Sequence, residues 1–129
     1  MHKTFTGGCL CGNIRFEAIN PLHPHTCSCD ICQKHTGALT AMWFEFTKEN
    51  VKWTGEGGVP STFRSSAYSS RSFCSRCGSS VGAIDDEPTL ALLAGGFDEG
   101  CVPELPPVYH SFDDMAPAWW RSLFFKNRG

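Results

Sequence analysis

The residues in this sequence best suited to chemistry are its cysteines. There are 8 in 129 residues, and all but one fall into tight groups. The groups are Cys9-Leu10-Cys11, Cys27-Ser28-Cys29-Asp30-Ile31-Cys32 and Cys74-Ser75-Arg76-Cys77, with Cys101 alone. Thiolates at such spacings suit a soft, redox-inert cation, and zinc is the leading metal. The opening Met1-His2-Lys3-Thr4-Phe5-Thr6-Gly7-Gly8 has no apolar signal region, so the expected compartment is the reducing cytoplasm. There, cysteines serve as metal ligands or catalytic thiols rather than disulfides. A secreted, disulfide-stapled domain is the competing reading, and the close spacings argue against it.

Which groups share an ion follows from the backbone. Cys11 precedes Gly12 and Cys77 precedes Gly78. A glycine after the second ligand accepts the positive φ of a tight turn, which aims backbone N–H groups at the sulfurs. Cys32 precedes Gln33 and lacks that feature. Cys9, Cys11, Cys74 and Cys77 are therefore expected to form a closed, structural four-sulfur site joining the first strand to a distant hairpin. The middle group then has three ligands, Cys27, Cys29 and Cys32. Three protein ligands leave an open position, which separates catalytic from structural zinc. Two alternatives stay open: Cys101, His25 or His35 completes this second site, or only one ion binds and the middle thiols are free.

Zinc held by three thiolates carries one net negative charge. It is a weak Lewis acid and a better host for a fourth sulfur. An incoming thiol bound there stays a thiolate near neutral pH, ready to attack an aldehyde or a strained epoxide. The resulting alkoxide needs a proton or a hydrogen bond, and His35, Tyr68, Tyr109 and His110 are donor types. Arg64 and Arg71 are candidates for binding a thiol's carboxylates.

The elements that must position these groups read mostly with period two. Ile14, Phe16 and Ala18 alternate with Asn13, Arg15 and Glu17, as a half-buried strand does. A second strand is expected over 39–46, with Met42, Phe44 and Phe46 on one face and Ala41, Trp43 and Glu45 on the other. Shorter strands are expected over 51–53, 61–64, 70–73, 79–84 and 89–94, with turns at 55–58 and 85–88. Only 30–35 reads as helix, stopped by Gly37. The stretch after Pro107 is aromatic-rich and irregular, with Trp119, Trp120, Phe124 and Phe125 as a hydrophobic closing element.

Size and charge bound the function. The length suits one domain spanning residues 1–129, and 13 Gly with 8 Pro describe a turn-rich, mainly all-β chain that needs staples beyond its core. A net charge of −2 excludes a broad electrostatic grip on nucleic acid or acidic lipid. No apolar run approaches the length of a membrane span.

Three ordered runs carry a resemblance. Gly8-Cys9-Leu10-Cys11-Gly12-Asn13-Ile14-Arg15-Phe16, the run from Cys27 to Ala38, and Arg71-Ser72-Phe73-Cys74-Ser75-Arg76-Cys77-Gly78-Ser79 resemble motifs of the glutathione-dependent formaldehyde-activating enzyme family, which includes centromere protein V. Leu93 to Asp98 and Pro107 to Trp119 resemble weaker family segments. The resemblance implies a zinc-stapled β-tent of short twisted antiparallel sheets. It also implies structural zinc on Cys9, Cys11, Cys74 and Cys77, and catalytic zinc on Cys27, Cys29 and Cys32. The implied reaction joins glutathione to formaldehyde, a carbon–sulfur lyase activity. Position 28, often histidine in the family, is serine here. The expected partners are a small-molecule thiol and an electrophile. Two other functions compete: a non-catalytic zinc module that binds a protein partner, and a sulfoxide reductase using Cys101.

Overall fold

The computed structural model describes residues 3–100 and 102–125. Cys101 lies outside them, so the expectations placed on it have no structural counterpart. The chain is mainly β, in two mostly antiparallel sheets. The small sheet has the order β1 (Phe5–Gly8), β2 (Arg15–Ala18), β5 (Val51–Trp53). The large sheet runs β10 (Tyr109–Ser111), β3 (Leu22–Cys27), β4 (Ala41–Thr47), β9 (Thr89–Leu93), β8 (Ser80–Asp85), β7 (Ser69–Phe73), β6 (Ser61–Arg64). Among the described strands only β10 pairs in parallel, against β3.

The alternating residues of β2 form a strand as expected, with Phe16 and Ala18 buried. On β4 the alternation separates two interiors instead of a buried and a wet face. Phe44 and Phe46 are fully buried in the core between the sheets, while Ala41 and Trp43 are buried beneath the cysteine-bearing helix. Phe97 is the hub of the main core. Its ring meets Phe16 at 5.1 Å and Phe44 at 5.2 Å edge-on, with Phe5 at 6.1 Å and Phe46 at 6.4 Å. Such pairs contribute beyond their buried area. Gly7 lets β1 approach the 94–97 turn, since a Cβ there would stand 2.4 Å from the Gly96 carbonyl oxygen.

Helix α1 (Asp30–Thr36) is capped by chemistry the sequence displays. The Cys29 sulfur accepts from the Cys32 N–H, and Gly37 ends the helix at φ +78°. Four elements depart from expectation. β1 is glycine-rich and β3 contains Pro24, a bulge and His23 at φ +48°, so neither shows clean alternation. β10 is three residues long. Beyond it, the stretch read as irregular forms α2 (Ala118–Phe125), whose aromatic residues have only middling helix propensity. Trp119 is largely exposed and closes no core; the side chains of Phe124 and Phe125 lie outside the description.

One ion pair ties the small sheet to the segment that follows β9. Asp98 accepts from Arg15 at 3.0 Å and from Thr6 Oγ1 at 2.7 Å. These bonds, Arg15 foremost, lower its carboxyl pKa to about 2. A depressed folded-state pKa gives stability present above the unfolded value of 3.8 and lost as pH falls through about 2. Asp98→Asn should therefore cost about 0.5 kcal/mol at neutral pH, because the pair is solvent-screened. The difference from wild type should shrink below pH 4, as read by urea denaturation across pH.

Candidate metal centres

Two turns present the first set of sulfurs. Gly12 lies at φ +84° and Gly78 at φ +81°, as the sequence requires after Cys11 and Cys77. The turns aim main-chain donors at sulfur: Ile14 N–H at Cys9 (3.2 Å), and Arg76 and Cys77 N–H at Cys74 (3.4 Å each). Ser79 Oγ accepts from Leu10 N–H at 3.0 Å and lies 3.1 Å from Cys77 Sγ, so it links both turns. That hydroxyl is the main cause that lowers the Cys77 thiol, to about 5.

The sulfurs of Cys9, Cys11, Cys74 and Cys77 all lie within 4.8 Å of one another. Cys9 and Cys11 are 3.6 Å apart, and Cys11 and Cys74, 63 residues distant in sequence, are 3.8 Å apart. A tetrahedral zinc with sulfur at 2.3 Å has edges of ~3.8 Å. Donor type and spacing both fit zinc.

The second set is Cys27, Cys29 and Cys32, again within 4.8 Å of one another. Cys27 ends β3, Cys29 caps α1 and Cys32 is buried in its first turn. Among the described residues no histidine, aspartate or glutamate ligand atom joins them, so His25 and His35 do not complete the set. Ser28, where the family often has histidine, is buried; its N–H binds the Ser111 carbonyl at 3.0 Å and its own carbonyl accepts from Gln33 at 2.8 Å. Gln33 also reaches the Met115 carbonyl. The cysteine loop is thereby latched to α1 and to the C-terminal segment.

Arg71 is the residue whose role the sequence left unresolved. Both terminal nitrogens of its guanidinium point at Cys32 Sγ, at 3.5 and 3.6 Å, and the group lies over the Trp43 ring at 5.2 Å. In this arrangement it is the partner of a sulfur. Hydrogen bonding from Cys27, and then from Arg71, brings the Cys32 thiol down to about 5 against the opposing effect of burial. Cys27 is pushed up correspondingly, chiefly by its contact with Cys32. Crowded thiols share protons in this way, and a divalent cation relieves them all at once.

A cavity of about 410 Å³ opens beside these three cysteines. Of the proton-donor types named from sequence, only Tyr68 lines it. His35 instead donates from Nε2 to the Ser72 carbonyl at 3.3 Å, and burial lowers its pKa, so it holds α1 to β7 as a neutral ring. Tyr109 stacks on His25 at 4.8 Å, and Thr26 Oγ1 hydrogen-bonds His110 Nδ1. Arg64 is held by Asp86 on the surface, at 2.6 and 2.8 Å. Sequence reasoning missed Ser79, Glu45 and Asp85; a hydroxyl next to a ligand-bearing glycine turn was the one readable signal among them.

Residues 4–114 match the family model described as glutathione-dependent formaldehyde-activating enzyme. The chain belongs to that family. In fold it is similar to the crystal structure of a Rhodobacter sphaeroides protein solved as a structural-genomics target. That similarity has a TM-score of 0.64 at 15% identity, covering 82% of this chain and 99% of the other. No helix among the described residues is long and apolar enough to cross a membrane.

Two substitutions separate the centres. Cys77→Ser should lower both the metal content and the urea midpoint, because a broken four-sulfur site removes folding energy. Arg71→Met should leave that site intact and weaken zinc at the three-cysteine site by about 10–100-fold, the usual effect of removing a ligand's outer partner. Competitive chelator titration would read both.

Proposed function

We propose that this protein is a zinc-dependent enzyme that adds a thiol to a small electrophile such as formaldehyde, a carbon–sulfur lyase-type activity. Glutathione, named in the family's description, is the first thiol to test. The observation that carries this reading is a set of three sulfurs, with no fourth described ligand, on the wall of a cavity large enough for a small molecule. Zinc bound there supplies an open position at which a fourth thiol ionises near neutral pH.

In this reading Cys27, Cys29 and Cys32 hold the ion, while Cys9, Cys11, Cys74 and Cys77 hold a structural one. Arg71 offsets the surplus negative charge, and Trp43 keeps its guanidinium in place. As the new C–S bond forms, the former carbonyl oxygen takes the π pair and then a proton. Ser66 is suited to meet that oxygen. Its Oγ accepts from the N–H groups of Ser69 (3.2 Å) and Tyr68 (3.4 Å), which fixes it on the cavity wall with its own O–H still to give.

A second reading, a zinc module that binds a protein partner, draws support from the exposed apolar side chains Val108, Phe112, Trp119 and Leu123. Activity separates the two. Cys29→Ser should cut thiol-dependent consumption of formaldehyde by at least about 100-fold and leave the urea midpoint near that of wild type. Full activity in Cys29→Ser, or none in the two-zinc wild type with any small thiol, would favour the partner-binding module.

A further inference from the structure

The cavity has a fixed charge of its own, and it lies in the register of the large sheet. Arg71 on β7 sits opposite Ala83 on β8, Ala83 opposite Ala91 on β9, and Ala91 opposite Glu45 on β4. One cross-strand row thus reads Arg71, Ala83, Ala91, Glu45. Three strand spacings put its ends ~14 Å apart along the sheet. The two alanines form a low floor between a cation and a carboxylate. Asp85 lies two residues along β8 from Ala83, hence on the same face, and it also lines the cavity.

The cation at one end is already engaged. Arg71 faces Cys32 and Trp43, so its charge would offset that of zinc held by the three thiolates. The carboxylates are not offset in this way. Asp85 accepts from Thr89 Oγ1 at 3.0 Å, which orients the group and leaves its charge. Glu45 is 3.7 Å from His25 Nδ1, but that nitrogen has the His23 carbonyl at 2.7 Å. Asp30 is a third acid on the rim. Among the described residues lining this space, Arg71 is the one lysine or arginine. A thiol with a carboxylate tail would meet like charge there. A cationic tail would meet Glu45 and Asp85, with the rings of Tyr68 and Phe112 on the same walls.

We infer that the cavity selects thiols by tail charge: it takes an aminothiol-class substrate, sulfur toward the three cysteines and ammonium-type tail over the Ala83–Ala91 floor toward Glu45 and Asp85. Glutathione carries two carboxylates against a single ammonium, a net negative charge, and so fits less well than a purely cationic thiol. This rests on the thiol-adding reading above, whose failure would look different.

The test uses cobalt(II)-exchanged protein, in which an added sulfur ligand alters the charge-transfer spectrum. The probes are thiocholine, 2-mercaptoethanol, 3-mercaptopropionate and glutathione. Thiocholine should bind about tenfold tighter than 2-mercaptoethanol, and the two anionic thiols about tenfold weaker. Because these thiols differ in acidity, the deciding quantity is the thiocholine to 3-mercaptopropionate affinity ratio. It should fall at least about tenfold in the Glu45→Gln/Asp85→Asn double variant, and by a smaller factor in each single variant. In wild type, about 0.5 M salt should compress the same ratio, a readout that needs no variant to fold. Glutathione binding as tightly as thiocholine, or a ratio unmoved by both the substitutions and salt, overturns the inference and leaves thiol addition standing. No spectral response to any of the thiols overturns thiol addition and the inference with it.

Discussion

The constraint on which this structure depends is the mutual crowding of thiols. Four sulfurs lie within 4.8 Å of one another at one place and three at another. Thiolates so close repel one another, while thiols so close share protons unevenly, as the opposed shifts of Cys27 and Cys32 show. Either way the arrangement calls for positive charge at its centre. Main-chain N–H groups, the Ser79 hydroxyl and the Arg71 guanidinium supply part of it. A divalent soft cation fits the remaining need, and at the four-sulfur cluster it would cross-link segments more than 60 residues apart, where the core is modest.

Each face of the large sheet answers to one of these demands. One face packs Phe44, Phe46, Leu90 and Leu92 with the small sheet's Phe5 and Phe16 around Phe97. The other carries α1 and Trp43 at one end and the alanine-floored cavity further along. Because β4 contributes to both, residues adjacent in sequence serve opposite purposes: Phe44 is core, while Trp43 is the plate against which Arg71 rests. A change on one face is felt on the other through that shared strand.

The loops around the second cluster are held as closely as the cluster itself. Gln33 bonds both the Ser28 carbonyl and the Met115 carbonyl, and Ser28 N–H bonds the Ser111 carbonyl. The short parallel strand β10 is thus the element that brings Phe112 and Met115 to the cavity wall. Phe112 sits at φ +54°, an unusual conformation for a bulky residue, which costs energy and persists only where neighbours enforce it.

Cysteine spacing and the two glycines were enough to sort the sulfurs, because ligand geometry and positive φ are local properties of a few adjacent residues. Local alternation likewise marked β2 and most of the large sheet. β1 and β3 were hidden by glycine, proline and a bulge, whose strand identity comes from partners and not from propensity. Tertiary structure alone turned Arg71 toward Cys32, took His35 out of the cavity and set Glu45 in line with two alanines from other strands. Those outcomes depend on which strands lie side by side and in what register, and cross-strand neighbours distant along the chain leave no local pattern in it.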